Sequence, residues 1–209
     1  MSQFFQIHPE TPQKRLIHQA AEMLRKGALI VYPTDSGYAL GCVLGNKKSM
    51  EKMRQIRELD KHHNFTLVCR DLSELANYAQ VDNLNYRMIK AHTPGQYTFI
   101  LKGTHEVPRR FLHAKKKTIG LRVPINPIAL SLLEELNEPL LSTTLILPGD
   151  ELPMTDPYDI RQTLEHAVDL IIDGGYCGME PTTVIDMTGD EVVVLRAGAG
   201  DTSPFDYPS

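Results

Sequence analysis

The chain of 209 residues carries 26 acidic and 22 basic side chains, a formal net charge of −4, with 42% hydrophobic and 23% charged residues. That length and mixture fit one globular α/β domain over residues 1–209 with a large buried core, and they exclude a disordered chain and a bulk polyanion binder. Cys42, Cys69 and Cys177 are widely spaced and form no C-x-x-C pair, and no apolar run is long enough to span a bilayer. The expectation is a cytoplasmic protein with reduced thiols, no structural zinc and no membrane partner.

Thr11-Pro12 reads as an N-cap followed by proline at the first helical position. Leu16, Ile17, Ala20, Ala21 and Leu24 then form one apolar stripe that stops at Gly27. Ala28 to Val31 is a short apolar run without alternation, as expected of a strand buried on both faces. Pro33 is expected to end its ladder pairing. Thr34, Asp35, Ser36 and Tyr38 then place hydroxyls and a carboxylate beyond the strand end, where open α/β sheets bind ligands. An ordinary turn between two strands is the competing reading.

Asn46 can cap a second helix with Met50, Met53 and Ile56 on one face and Arg54 and Arg57 near its end, where cations suit the helix dipole. His62-His63 reads as a solvated loop, with no spacing that would make it a metal site. Phe65 to Cys69 is a strand, Asp71 and Glu74 make a capping box, and Asp82 caps a helix ending before Thr93-Pro94-Gly95. Tyr97 to Leu101 and Ile119 to Val123 are strands flanking a basic segment with a short helix at Arg109 to Leu112. Asn126-Pro127 and Asp156-Pro157 open two further helices, and Leu140 to Thr144 is strand-like between them. The chain ends in strands at Val168 to Ile172, Thr183 to Met187 and Glu191 to Leu195, the last two joined by a hairpin turn at Thr188-Gly189-Asp190. A hairpin cannot sit in an all-parallel sheet, so the sheet is mixed.

No standard nucleotide loop is present. Gly41 to Ser49 misses the Walker A glycine spacing, Gly198-Ala199-Gly200 lacks the third glycine of a dinucleotide fingerprint, and there is no G-x-S-x-G elbow. Phosphates would have to be held by side chains, and Arg57, Arg122 and Arg196 are the candidates, since a guanidinium stays charged and grips oxyanions through paired hydrogen bonds. Arg122 interrupts an apolar strand, and Arg196 precedes small residues that would let a ligand approach. For each, a surface arginine paired with a carboxylate is the alternative. From Lys102 to Arg122 the chain also holds Arg109, Arg110, Lys115, Lys116 and Lys117 against only Glu106, a cluster that could meet phosphates or simply be a solvated loop.

Pro33-Thr34-Asp35-Ser36-Gly37-Tyr38-Ala39-Leu40-Gly41 resembles the P-T-D/E-T-x-Y-G-L-G signature of the YrdC/YciO family, with Ser for the second Thr and Ala for the first Gly. The resemblance continues in order through residues 94–99, 118–124, 181–186 and 195–198, and its wording is most similar to the YciO branch. It implies a twisted open mixed sheet with flanking helices and a large concave face. It also implies threonylcarbamoyl-AMP synthase-like chemistry, in which L-threonine, bicarbonate and ATP yield threonylcarbamoyl-AMP and pyrophosphate, the precursor of threonylcarbamoyladenosine in tRNA. No covalent nucleophile is required, so no catalytic residue is assigned; the work is positioning and charge neutralisation.

By that resemblance Thr34, Arg122, Ser142 and Thr182 would line the threonine pocket, with Arg122 on the carboxylate, and Arg57, Asn64, Thr118, Thr144 and Arg196 would meet the nucleotide. Mg²⁺ would accompany ATP through phosphate oxygens and water, with no dedicated protein cage. The synthases' K-x-R…S-x-N set becomes Arg57-Glu58-Leu59 and Thr144-Leu145-Ile146 here, which replaces two polar positions by aliphatic ones, and a histidine frequent near their threonine pocket is Cys69. A weak synthase is therefore expected. The alternatives are a protein that binds double-stranded RNA or tRNA through the basic cluster, or one that binds or hydrolyses a different nucleotide.

Overall fold

The computed structural model describes residues 1–206. In chain order its elements are β1 (Gln3–Gln6), α1 (Lys14–Arg25), β2 (Ile30–Thr34), β3 (Gly37–Val43), α2 (Lys47–Arg57), β4 (Thr66–Val68), α3 (Leu72–Tyr78), α4 (Asn83–Ala91) and β5 (Tyr97–Lys102). A 3₁₀ turn at Arg109–Phe111 precedes β6 (Thr118–Arg122), α5 (Pro127–Leu136), β7 (Leu140–Thr144), α6 (Pro157–Leu164), β8 (Leu170–Asp173), β9 (Thr183–Asp186), β10 (Val193–Arg196) and a second 3₁₀ turn at Ser203–Phe205. Among the described residues no helix is long and apolar enough to cross a membrane.

The strands form one open mixed sheet in the order β1-β8-β2-β3-β7-β4-β6-β5-β9-β10. Parallel pairing at β1/β8, β2/β8, β4/β6 and β5/β9 alternates with antiparallel pairing elsewhere, as the β9/β10 hairpin requires. The capping residues read from sequence hold for α2 to α6: Asn46, Asp71, Asp82, Asn126 and Asp156 each accept a backbone N–H from the first turn of the helix that follows. The first helix differs. Thr11 is turned back onto His8, whose Nδ1 lies 3.0 Å from Thr11 Oγ1 and accepts the Thr11 N–H at 3.1 Å, so α1 begins only at Lys14 behind an uncapped Gln13.

Two strands escape the periodicity. Gln3–Gln6 pairs with β8 as an edge strand. Gly37–Val43, which looks like a site loop, is β3, the return arm of a tight hairpin in which Thr34 faces Gly37. Pro33 does not end the pairing, since it sits opposite Tyr38. Strand β8 pairs with β2 only at Ile30 and Val31, so Pro33 lies where β2 has a neighbour on one side, a position at which strands tolerate proline.

The two sheet faces are covered unequally. Val31, Leu40, Leu67, Phe99, Leu121 and Leu141 pack one face against Met50 and Met53 of α2, Leu75 of α3, Ile89 of α4 and Ile160 of α6. On the other face Ile30, Tyr32, Leu140, Leu170 and Ile172 pack against Ile17, Ala21 and Leu24 of α1 and Ile128, Leu132 and Leu133 of α5. These two helices cover only one end of their face. Beyond them the alternate residues of β4, β5, β6 and β7 turn polar and a hollow opens.

Candidate functional site

The hollow is a cavity of about 420 Å³ whose wall includes Thr34, Ser36, Arg57, His62, His63, Asn64, Thr66, Thr98, Arg122, Ser142, Thr143, Thr144, Thr182 and Arg196, with Val68, Ile100, Ile146, Val184 and Leu195 as apolar parts. Sheet register explains the convergence, because Gly41, Ser142, Thr66, Gly120 and Ile100 face one another in a row across five strands. Gly120 keeps the floor open: a Cβ there would lie 3.0 Å from both Thr66 Oγ1 and Thr98 Cγ2.

Eight of the nine residues proposed from the sequence meet on this wall: Thr34, Arg57, Asn64, Arg122, Ser142, Thr144, Thr182 and Arg196. Thr118 does not. It is buried behind Asn64, to whose Oδ1 it donates at 3.1 Å, so it positions that amide rather than facing the cavity. The departures from the synthase pattern also separate. Ile146 is on the wall, whereas Leu59 and Cys69 belong to the packed core of the opposite face. Burial pushes the Cys69 thiol well above its ordinary range.

At one end Arg122 is buried and donates to Asp35 Oδ1 at 2.7 Å and to Ser36 Oγ at 2.8 Å. Its Nε and the Asp35 Oδ2 atom are buried, one donor and one acceptor for which the described residues supply no mate. The neighbouring hydroxyls have already spent their protons. Thr34 donates to the Gly37 carbonyl at 2.6 Å, and Ser142 donates to the Leu40 carbonyl at 2.8 Å while its oxygen pairs with the Tyr32 hydroxyl at 2.8 Å. A ligand at this end meets oxygen lone pairs rather than O–H donors.

At the other end two arginines have no carboxylate partner among the described residues. Arg57 donates from Nε to the Ile146 carbonyl at 2.8 Å and from Nη1 to Thr143 Oγ1 at 2.7 Å. Arg196 is held by the Thr182 carbonyl, at 3.1 Å from Nε and 2.8 Å from Nη2. Burial lowers the proton affinity of both guanidiniums, though not by enough to discharge an arginine near neutral pH. Gly198 does not make room for a ligand as its place after Arg196 suggested. A Cβ there would come within 2.2 Å of the Pro181 carbonyl, so its smallness lets residue 198 cross the backbone that carries Thr182.

His62 and His63 lie in a loop, as the sequence suggests, but both are partly buried and line the cavity rather than solvent. His63 Nε2 lies 3.3 Å from Thr143 Oγ1, and burial, helped by Arg57 and Arg54, lowers its pKa to about 4. His62 packs against His113, ring centroids 5.4 Å apart, and so brings the basic segment to the cavity rim. Arg122 leaves that cluster for the interior, while Lys102, Arg109, Arg110 and Lys115 to Lys117 remain exposed. Among the described residues no group of three or more His, Cys, Asp or Glu converges to hold a metal ion.

An open mixed sheet, uncovered at one end of one face, where three arginines line a hollow among serine and threonine hydroxyls, defines a YrdC-like fold. The chain belongs to the Sua5/YciO/YrdC family, whose model, described as "Telomere recombination", matches residues 22–198. The YciO protein of Escherichia coli K12 is 63% identical over 205 residues, covering 98% of this chain and 100% of that one. Its crystal structure gives a TM-score of 0.95 at 63% identity. A Methanocaldococcus jannaschii protein named "Putative threonylcarbamoyl-AMP synthase" is 28% identical over 191 residues, 90% of this chain and 88% of that one. The crystal structure of Pyrococcus abyssi Sua5 complexed with L-threonine gives a TM-score of 0.85 at 24% identity, over 93% of this chain and 57% of that one, a likeness of fold.

Proposed function

We propose that the cavity binds L-threonine at its Arg122 end and ATP across Arg57 and Arg196, and that the protein forms threonylcarbamoyl-AMP from them with bicarbonate, slowly. The observation that carries this reading is the convergence of Arg57, Arg122 and Arg196 with Thr34, Ser142 and Thr182 on one cavity wall. A zwitterionic amino acid brings a carboxylate for the Arg122 guanidinium and an ammonium for the lone pairs of Thr34 and Ser142, all on the wall. Arg57, Arg122 and Arg196 line a wall that, among the described residues, includes no carboxylate, and this positive excess suits the phosphates of a nucleotide. Magnesium would arrive as part of the ATP substrate, coordinated by phosphate oxygens and water; among the described residues the cavity wall includes no carboxylate.

The chain's contribution to the reaction is alignment. Arg122 fixes the amino-acid carboxylate; the amine, once it has lost a proton, joins bicarbonate with loss of water, a carbamate oxygen bonds to the α-phosphate, and Arg57 and Arg196 neutralise charge as pyrophosphate departs. Ile146, where synthases have a polar group, supplies no hydrogen bond from its side chain and accounts for the slow rate. The test is pyrophosphate release with mass-spectrometric detection of the adenylate, in ATP, Mg²⁺, threonine and bicarbonate. Release that is independent of threonine, or equal in an Arg196→Ala variant, overturns the reading.

The packing of His113 against His62 favours a second reading, in which the exposed lysines of the same basic segment hold the phosphates of a double-stranded RNA or tRNA. Its signature is affinity that falls steeply with salt, and a flat salt dependence refutes it.

A further inference from the structure

His63 is absent from the functional set that the sequence suggested, yet it stands where that set is weakest. Its imidazole and the Arg57 guanidinium converge on one oxygen: Arg57 Nη1 donates to Thr143 Oγ1 at 2.7 Å, and His63 Nε2 approaches the same atom at 3.3 Å. With Arg57 donating, the Thr143 proton is free to point at His63 Nε2, which holds the ring as a neutral acceptor. The ring is fixed from the side by Phe65, edge-on at 5.5 Å between centroids. Both His63 and Arg57 line the cavity, with Ile146 beside them.

The charges around the ring are unbalanced. Arg57 and Arg54 of α2 both oppose its protonation, Asp60 on the following segment favours it weakly, and Thr143 and Phe65 are uncharged. Arg54 is itself committed, its guanidinium lying 4.9 Å over the Phe65 ring and donating to the Asp60 carbonyl. Burial is the larger cause of the ring's neutrality, and an oxyanion placed against Arg57 would remove the repulsion that adds to it.

We propose that His63 completes the anion-binding end of the cavity with Arg57, and that it binds a phosphate group as imidazolium, taking up one proton as the ligand arrives. This rests on the reading that the cavity holds a phosphate-bearing nucleotide. It assigns His63 as a polar contact of the phosphate end beside the aliphatic Ile146. It also makes affinity depend on pH. A ligand that prefers the protonated ring binds more tightly as pH falls from the ring's pKa in the complex toward about 4 in the free protein, by up to about tenfold per pH unit.

Inorganic sulfate is the probe for that dependence, since it does not titrate in this range, and the ring protons of each histidine are resolved by NMR. The expected result is that sulfate raises the pKa of His63 and that its dissociation constant falls as pH goes from 8 to 6. In His63→Gln, which keeps a hydrogen-bonding group toward Thr143 but cannot gain charge, the dissociation constant should stay flat with pH. An unmoved His63 titration in saturating sulfate, or an equal pH slope in wild type and H63Q, overturns the proposal. ATP binding measured in parallel separates the two readings. ATP that binds without any effect of H63Q at pH 6 removes His63 and leaves the nucleotide reading standing. A sulfate effect without ATP binding keeps the anion site and removes the nucleotide.

Discussion

The two ends of the cavity solve opposite problems. At the Arg122 end a buried guanidinium and carboxylate neutralise each other, and the surrounding hydroxyls are locked by backbone carbonyls. At the Arg57 and Arg196 end the cations have carbonyls and a hydroxyl for company but, among the described residues, no ion-paired carboxylate. The first end is preorganised and electrostatically closed, ready for a neutral zwitterion. The second is held in shape but charged, and only an anionic ligand balances it. The difference predicts that changes at the first end damage the fold and the site together, whereas changes at the second alter binding and leave the fold intact.

Arg122→Met gives the largest effect. It strands Asp35 as a buried carboxylate with no partner, and removing one member of such a pair costs about 3–5 kcal/mol of stability. Adding Asp35→Asn should recover much of the stability, read by denaturant unfolding, while threonine binding, read by calorimetry, stays absent. If the double variant binds threonine, the closed end is not the amino-acid site.

At the charged end the structure separates two substitutions that the sequence alone would treat alike. Ile146→Asn puts an amide on the cavity wall and should raise pyrophosphate release by up to about 100-fold, the scale of one preorganised contact. Leu59→Arg should give no gain and cost about 1 kcal/mol, because Leu59 packs against the core of the opposite face. A large gain from Leu59→Arg alone would show that this arginine can reach the phosphates and that the two ends are not divided as described.

Arg196→Ala should leave unfolding nearly unchanged and weaken ATP binding by roughly 10- to 100-fold, as expected for one charge-assisted contact. Threonine affinity is the control: Arg196 also brackets Thr182 through its carbonyl, so a parallel loss of threonine binding would mean that it organises both ends at once.

Much of this architecture was readable before any coordinates. Caps at Asn46, Asp71, Asp82, Asn126 and Asp156 are local chemistry, legible in a few consecutive residues. The alternation of Thr66, Arg122 and Ser142 with Leu67, Leu121 and Leu141 marks a half-open face, and the arginine within an apolar strand was its visible sign. Strand β3 was hidden because its glycine and hydroxyl residues mimic a loop, and β1 because four residues at an edge carry too little pattern. Nor could spacing show that Leu59 and Ile146 fall on opposite faces, or that His63 turns inward. Both depend on α2 and β7 meeting through Arg57, Ile146 and Thr143, partners nearly ninety positions apart.

His63 also makes the charged end visible in the stability of the protein without ligand. The folded state keeps the ring neutral down to about pH 4, whereas the unfolded chain protonates it near 6.5, so the unfolded state binds more protons between those values. Stability therefore falls as pH drops through that window, at most about 1.4 kcal/mol per unit and roughly 1 kcal/mol between pH 7 and 5.5 from this ring alone. The measurement is denaturant unfolding at several pH values in wild type and His63→Gln, in a buffer free of sulfate and phosphate. The variant should show the shallower slope. Adding sulfate at pH 6 should stabilise wild type more than the variant, since the anion reverses the imbalance around the ring. Equal slopes in both proteins would place His63 in solvent at neutral charge cost and reduce the difference between the two ends to the arginines alone.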